Sequence, residues 1–272
     1  MIARREQALT YTVLGLFSLI ALAPIAGIVL TALQSPDSVR SFGALDGIHL
    51  GNFSKAWDQG NFGSYLKSSA IVAMSVVAIS TVLSILAGYA FGTMRFRGSQ
   101  ALFYLFLLGL TIPTEAIIVP LYYDLRDLSL TDTYWALILP QAGVSIAFGT
   151  FWMRAFFRSV PRSLSEAARL DGATSWAALW RVVLPLGRPA VVTMMVLVFM
   201  WTWSEFLLAL VMVSDESLRT APLGLAFFQG RNTSDFSLLA AGSVIVALPV
   251  VILYVFLQRH FIRGMLTGAV KN

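Results

Sequence analysis

The sequence predicts an all-α protein that crosses a membrane several times. Three observations support this fold class: apolar residues make up 57% of the 272 residues, charged residues make up only 12%, and the apolar residues are gathered into long stretches. Soluble domains carry about 25% charged residues, so a share this low is typical of a polytopic membrane protein. Backbone groups within lipid must be satisfied inside their own segment, so each stretch is expected to be a helix.

Six apolar stretches are long enough to cross about 30 Å of hydrocarbon, which needs roughly 20 helical residues. They cover residues 10–33, 65–92, 101–123, 134–157, 189–213 and 238–261. The first begins like a secretory signal, but it continues to Leu33, which is too long for the apolar part of a signal, so we predict an uncleaved span. The prediction is one transmembrane domain, residues 1–272, with six spans.

Basic residues are divided unevenly between the two sides of these spans. Thirteen of the 19 Lys and Arg residues lie on the side that holds both termini, in the termini, the loops or the adjoining ends of the spans. Cytoplasmic loops carry the excess of Lys and Arg, so both termini are expected in the cytoplasm. The same rule places the loop between spans four and five, residues 161–188, on the cytoplasmic side.

That loop holds the longest polar interruption of the apolar chain, SLSEAARLDGATSWAALWRVVLPLGRP. Pro161 ends the preceding span, and Ser163 with Glu166 has the S-x-x-E pattern of a capping box, which predicts the start of a short helix. Gly172 follows Asp171 where this helix would end, and a glycine there permits a left-handed turn.

A second short helix is predicted after the glycine. Thr174 or Ser175 would cap its N-terminus, and Pro185 would end it before span five. Apolar residues recur along it at helical spacing and predict one apolar face: Trp176, Leu179, Trp180 and Val183. Three interpretations of this L-shaped pair compete: a DNA-reading helix-turn-helix, an amphipathic helix on lipid, and a docking element for a soluble motor.

The loop resembles the EAA loop of inner-membrane permeases in binding-protein-dependent ABC importers, whose pattern is EAAxxDGAxxxxxFxxVxLPLxxP. The matching residues are Glu166, Ala167, Ala168, Asp171, Gly172, Ala173, Leu184 and Pro185. Further stretches are similar to the carbohydrate-type members, in particular the smaller permease of maltose-like importers: TIPTEAIIVPLYYDLRDLSLTDTYWALILP, WTWSEFLLAL and AAGSVIVALPVVILYVFLQRHFIRGMLTGAVKN. The chain departs from the family pattern at Ser204, where Asn is usual, and at residues 68–70, where Asn-Ser is usual.

The resemblance implies a set of partners and a place for this chain. The EAA loop would be a coupling helix seated in a groove of an ATPase dimer, with contacts from Ser163, Glu166, Ala167, Ala168, Asp171, Gly172 and Ala173. Tail residues Gly264, Gly268 and Lys271 would reach the ATPase interface. A second permease, an extracytoplasmic solute-binding protein and membrane lipid would complete the surroundings, in a bacterial or archaeal inner membrane. ATP and Mg would sit on the ATPase, no cofactor on this chain, and no nucleic acid is expected.

Two acidic residues, Glu115 and Glu205, are predicted within spans. A carboxylate at the bilayer centre costs about 2.5–3.5 kcal/mol on insertion scales, so such a residue is expected to face protein or water. Trp201, Trp203 and Ser204 accompany Glu205, and aromatic faces beside a carboxylate suit a sugar. Packing against a partner is the alternative interpretation for Glu205, and a place near the outer interface is the alternative for Glu115.

The sequence contains no P-loop, no H-E-x-x-H and no G-x-S-x-G, and it contains no Cys. His49 and His260 are too isolated to predict a metal site, so neither an enzyme nor a metalloprotein is expected. The outer loop SDESLRTAPLGLAFFQGRNTSDFS has the composition of a solvated connector, while the resemblance makes it a contact for the solute-binding protein. A carbohydrate importer is the leading function; a glycerol-3-phosphate or polyol importer and a proton-coupled secondary transporter are the alternatives.

Overall fold

The structure is a computed structural model that describes residues 4–40, 47–231 and 235–269. These residues form helices and connecting turns, without a strand among them, so the predicted all-α class is confirmed. The helices, in chain order, are α1 (Arg4–Ala32), α2 (Pro36–Arg40), α3 (Gly51–Gln59), α4 (Phe62–Thr93), α5 (Ser99–Thr111), α6 (Thr114–Asp127), α7 (Tyr134–Ser159), α8 (Arg162–Leu170), α9 (Ser175–Leu186), α10 (Arg188–Trp203), α11 (Leu207–Met212), α12 (Ala221–Arg231) and α13 (Phe236–Ala269).

The described helices α1, α4, α7 and α13 are each long and apolar enough to cross a membrane unaided. Two further pairs satisfy the same criteria only together, because each pair is bent at a break: α5 with α6, and α9 with α10. Length and composition therefore support between four and six crossings. The helices α4, α7 and α13 cover the second, fourth and sixth predicted spans and extend beyond them, while α1 begins before the first predicted span and ends at Ala32, one residue short of the end of that span.

The third predicted span, residues 101–123, is not one continuous helix. Its axis bends by 97° between α5 and α6. Ile112 has an extended backbone (φ −83°, ψ 115°) because the ring of Pro113 disfavours helical geometry in the residue before it. Pro113 also has no N–H to continue the helix, and its carbonyl instead accepts from the Ala116 N–H at 3.0 Å.

The fifth predicted span, residues 189–213, is also interrupted. The helix α10 has 16 residues and so covers about 24 Å, less than the hydrocarbon thickness. Ser204 ends it, Phe206 leaves helical geometry with φ −124°, and α11 begins at Leu207. The break therefore lies within the stretch that the sequence assigned to the membrane.

The chain forms two compact units, one of residues 1–63 with 224–249 and one of residues 64–223 with 250–272. In the first, the Asn52 side chain donates to the carbonyls of Ala32 and Gln34, both at 2.9 Å, and so satisfies the C-terminal end of α1. Phe62 meets Phe228 edge to face in the same unit, with ring centroids 5.9 Å apart. The side chains of α1 stay exposed along the apolar stretch, which suits lipid.

In the second unit, α4 and α7 approach closely through small residues. A Cβ added at Gly88 would lie 2.6 Å from the Met153 Cβ, and one at Gly92 would lie 2.9 Å from the Phe157 Cβ. Gly149 meets buried Ser84 in the same way. Helices in lipid associate mainly through such packing, so these small residues hold α4 and α7 together.

The outer connector contains structure that its composition does not predict. The residues after α11 are fixed to α4: Tyr65 donates to Glu216 at 2.9 Å, and the Ala221 N–H donates to the Ser69 hydroxyl at 2.8 Å. The helix α12 then begins at Ala221, which is fully buried, so the prediction of a solvated connector is wrong for this part of the loop. Tertiary contacts, which composition does not report, decide the difference.

Candidate functional site

The helices α8 and α9 meet at a corner that several backbone hydrogen bonds define. Gly172 has φ +82°, the left-handed geometry predicted for it. Its N–H donates to the Arg169 carbonyl at 3.0 Å, and the Ala173 N–H donates to the Ala168 carbonyl at 2.9 Å. These two bonds form the Schellman arrangement, which satisfies the last carbonyls of a helix and fixes the direction in which the chain leaves it.

The far side of the corner is capped as predicted. The Thr174 hydroxyl accepts from the Ala177 N–H at 3.2 Å, so Thr174 rather than Ser175 caps α9. The Thr174 carbonyl also accepts from the Ala178 N–H at 2.8 Å. Hydrogen bonds therefore define the turn on both sides of Gly172.

The predicted capping box at the start of α8 is wrong. The helix begins at Arg162, directly after Pro161, and no side chain caps it. Ser163 is consequently the second residue of the helix rather than the residue before it, so its hydroxyl is not placed to cap the first turn. Pro161 has no N–H to satisfy, which makes it tolerable at this boundary.

The corner presents apolar residues to its surroundings. Leu170 is 90% exposed and Trp176 is 62% exposed, while Glu166, Ala167 and Asp171 are exposed beside them. Ala168, in contrast, is buried. Large apolar side chains exposed together in this way are typical of a surface that binds another protein.

The other end of α9 is fixed to the core. Leu179 and Val183 are buried in the main apolar cluster, so the predicted apolar face is confirmed for these two residues. Trp176 is exposed instead, and the centroid of its ring lies 5.5 Å from that of the Trp180 ring. Residues 178–183 form a π-helical turn, and the Leu184 N–H donates to the Leu179 carbonyl directly before Pro185. Pro185 thus lies inside α9 and does not end it, contrary to the prediction.

Gly187 is where the direction changes between α9 and α10, by 80°. A Cβ at Gly187 would lie 2.5 Å from the Phe156 ring, so a larger residue there would require that ring on α7 to shift. The Trp152 indole N–H donates to the Ala190 carbonyl at 3.0 Å and joins α10 to α7. The helix α9 therefore connects the corner to α10, which is in turn hydrogen-bonded to α7.

Glu205 lies at the break between α10 and α11, and its carboxylate is used by the backbone. One oxygen accepts from the Leu208 N–H at 2.7 Å, and the other accepts from the Ala209 N–H at 3.1 Å. The side chain thus satisfies the first amides of α11, the role of an N-terminal cap. The sequence predicted that the Glu205 carboxylate lies within a span and faces protein or water, but it did not predict that the carboxylate binds backbone N–H groups.

The residues predicted to accompany Glu205 are divided between two surroundings. Trp201 is 53% exposed, with its ring 4.7 Å from that of Phe148, and Ser204 is exposed one turn further on. Trp203 is buried and stacks on Phe199 at 5.3 Å. Trp201 and Ser204 are therefore available to a ligand, while Trp203 belongs to the core.

Glu115 is exposed in the first turn of α6, directly after the other break. An acidic residue is favoured there by the helix dipole. The α13 helix continues through Gly264 and Gly268, whereas Lys271 lies outside the described residues. Within the described ranges no group of three His, Asp or Glu side chains is placed to hold a metal ion.

Sequence reasoning missed two sets of polar contacts. The Arg154 guanidinium lies 3.7 Å from the centroid of the Phe103 ring, and its Nε donates to the Phe91 carbonyl at 3.3 Å, so it joins α7 to α4 and α5. Asp132, with φ +56°, accepts from the N–H groups of Ser214 and Asp215. No local pattern marks either residue, because each partner is distant in sequence.

The chain is similar to known transport proteins over nearly its whole length. "Probable ABC transporter permease protein YurM" of Bacillus subtilis is 38% identical over 257 residues, covering 93% of this chain and 85% of that protein. "Diacetylchitobiose uptake system permease protein NgcG" of Streptomyces coelicolor is 29% identical over 272 residues, covering 98% and 90%. A crystal structure of a bacterial ABC transporter involved in the import of the acidic polysaccharide alginate contains a chain of the same fold, with TM-score 0.81, 24% identity and coverage of 96% of this chain and 99% of that chain.

The family described as "Binding-protein-dependent transport system inner membrane component" matches residues 80–267. The match includes the corner at Gly172, the two helices that it joins and both breaks in the spans. The chain therefore belongs to the family of inner-membrane components of binding-protein-dependent transport systems.

Proposed function

We propose that this chain is one permease subunit of an ATP-driven importer that moves an oligo- or disaccharide by alternating access. A solute-binding protein would deliver the sugar, and a separate ATPase dimer would hold ATP and Mg. The relatives support the substrate class: NgcG is named for diacetylchitobiose, and the structural neighbour imports alginate.

The observation that carries the proposal is the hydrogen-bonded corner between α8 and α9. A coupling element has to receive a displacement without deforming, and the Schellman bonds with the Thr174 cap provide that stiffness. Exposed Leu170 and Trp176 would seat the corner in a groove of the ATPase, together with the residues Ser163, Glu166, Ala167, Asp171 and Ala173. Ala168 is buried, so it would hold the corner from the inside.

Movement would then reach the membrane through α9. Leu179 and Val183 fix that helix to the core, and the bend at Gly187 passes its motion to α10. Rigid-body rocking of packed helices is an established form of such transitions. The orientation required has both termini in the cytoplasm, as the positive charges predict.

The substrate pathway would lie along the break between α10 and α11. Trp201 and Ser204 offer an aromatic face and a hydroxyl there, and the cap from Glu205 fixes the geometry of the break. Glu115, after the break between α5 and α6, would be a second polar group on the pathway. A second permease would complete the cavity, and the tail at Gly264, Gly268 and Lys271 would reach the ATPase.

The test is reconstitution of this subunit with its partner permease, ATPase and binding protein in liposomes. Sugar uptake should require ATP, continue in the presence of a protonophore, and stop when ATP is replaced by a non-hydrolysable analogue. Uptake driven by a proton gradient without ATP would contradict the proposal and support the secondary transporter. Competition of uptake by glycerol-3-phosphate, but not by oligosaccharides, would place the chain with the polyol-phosphate importers.

A further inference from the structure

Two adjoining cavities lie at the basic end of the second unit, where α4 and α7 end and α8 begins. They have volumes of about 570 and 280 Å³ and share the lining residues Gly92, Arg158 and Arg162. We call the two cavities together the basic cleft. Its other cationic residues are Arg95 and Arg169 in the larger cavity and Arg154 in the smaller.

Carboxylates of the described residues do not balance the positive charge of the basic cleft, although Arg154 also contacts the Phe103 ring and the Phe91 carbonyl. Five arginines line it against one carboxylate, Glu166. Among the described residues, none of these arginines nor Glu166 forms an ion pair. Arg154 and Arg158 are one helical turn apart on α7, a spacing at which like charges repel. An anion between these side chains would relieve that repulsion.

The chemistry of the basic cleft favours a phosphate group. Arginine presents a planar fork of donors that matches phosphate oxygens, and several arginines from different elements can bind one phosphate together. The α8 helix adds its first turn to the wall through Arg162 and Ser165, and no side chain caps that N-terminus. Free amides at a helix N-terminus also favour an anion.

Several exposed apolar side chains adjoin the residues of the basic cleft along the chain. Ser99 and Gln100, at the start of α5, line the smaller cavity, and Leu102 and Leu105 follow on the same helix with exposures of 46% and 62%. Met94 and Phe96, between α4 and α5, are also exposed. A ligand with a phosphate and long hydrocarbon chains could contact both the arginines and these apolar side chains. A soluble anion could contact only the arginines.

We propose that the basic cleft binds the phosphate of an anionic membrane phospholipid and that the bound headgroup holds α8 against the ends of α4 and α7. The binding does not depend on α8 being the coupling helix. Its consequence for transport does rest on the proposed function: the lipid would keep the corner at Gly172 in position for the ATPase.

The experiment compares two matched double variants of the purified importer. Arg158→Gln with Arg162→Gln removes the two arginines shared by both cavities. Arg181→Gln with Arg188→Gln removes two exposed arginines of α9 and α10 that line neither cavity. Lipid retained by each protein is measured by native mass spectrometry after titration with phosphatidylglycerol, and thermal unfolding is followed by tryptophan fluorescence in the same samples.

We expect phosphatidylglycerol, but not phosphatidylcholine, to bind saturably to the wild type and to the control variant and to raise their Tm. The cleft variant should bind it at least about tenfold more weakly, since two charge-assisted contacts are lost. Equal binding of both lipids, or equal loss in both variants, would overturn the proposal. So would competition by inorganic phosphate at equal concentration, which would identify a free anion as the ligand.

One further outcome would assign the basic cleft to a protein partner. If the cleft variant keeps its phosphatidylglycerol but no longer co-purifies with the ATPase, acidic residues of that subunit occupy the cleft, and the lipid proposal is wrong. Uptake measurements separate the lipid site from the proposed transport function. Normal lipid binding with an ATP-independent uptake would contradict the proposed function and leave the lipid site standing.

Discussion

Replacing Gly172 with Ala should uncouple ATP hydrolysis from uptake. The φ of +82° places this residue in the left-handed region, which costs an L-residue with a Cβ about 1–2 kcal/mol. Apart from Gly172 and its two chain neighbours, no residue has an atom within 4 Å of the position that the new Cβ would take, so the expected cost is that of the backbone conformation. The fold should therefore survive while the corner loses its preferred geometry.

A penalty of this size changes the population of the native corner by a factor of about 5–30 relative to competing geometries. If the corner transmits displacement, the sugar imported per ATP hydrolysed should fall by about fivefold or more. Gly172→Asn should have a smaller effect, because Asn tolerates left-handed geometry better than Ala.

The structure offers a matched control in Gly98. It has φ +80° and, like Gly172, has no atom within 4 Å of the position of an added Cβ, but it lies before α5 rather than in the corner. Reconstituted importer with each variant would be assayed for uptake and ATPase activity together. A fall in the uptake-to-ATPase ratio that is as large for Gly98→Ala as for Gly172→Ala would refute the role of the corner.

Three further predictions concern the spans and the outer loop. Gly88→Ala should lower the Tm by about 2–4 °C, because the added Cβ would lie 2.6 Å from the Met153 Cβ, whereas Gly143→Ala should leave the Tm unchanged, because there is open space around Gly143. Equal Tm values for the two variants, measured by tryptophan fluorescence, would contradict this prediction. Glu205→Ala should lower the free energy of unfolding by about 1 kcal/mol, because α11 loses its cap, and Glu205→Gln should have an intermediate stability in denaturant unfolding. An Ala variant as stable as the wild type would exclude the capping role. The backbone N–H of Ser217 holds the pKa of Asp215 below its ordinary value. The stability that this carboxylate adds should therefore be present above about pH 3.9 and be lost as the pH falls through the lower folded-state pKa. A Tm difference between wild type and Asp215→Ala that appears only below about pH 4 would contradict this prediction.

Local sequence signals predicted the corner well. Gly172 and Thr174 act through bonds to residues within five positions along the chain, so their roles could be inferred from spacing alone. The start of α8 was predicted less well, because the S-x-x-E pattern at Ser163 competes with Pro161, and the helix begins directly after the proline. Boundary patterns that overlap by one or two residues are decided by the surrounding structure.

The interrupted spans show where hydropathy stops being informative. Residues 101–123 and 189–213 are apolar enough to suggest continuous helices, and average hydropathy does not register a change of axis. Pro113 is a visible signal for the first break, but nothing in composition gives its angle of 97°. The break at Ser204 carries no proline or glycine at all, and its geometry is set by the carboxylate of Glu205 bonding to the next helix.

The order of apolar and polar residues determined the all-α class and the approximate limits of the long helices, because these depend on periodicity along the chain. The family was indicated separately, by the resemblance of particular residues such as Glu166, Asp171 and Gly172 to the EAA pattern. Tertiary structure decided which side chains meet. Glycines of α4 meet α7, Arg154 meets Phe103, and five arginines converge on the basic cleft, although each set is separated along the chain. Such contacts depend on the distance and rotation between helices, which are fixed only when all of the side chains pack together.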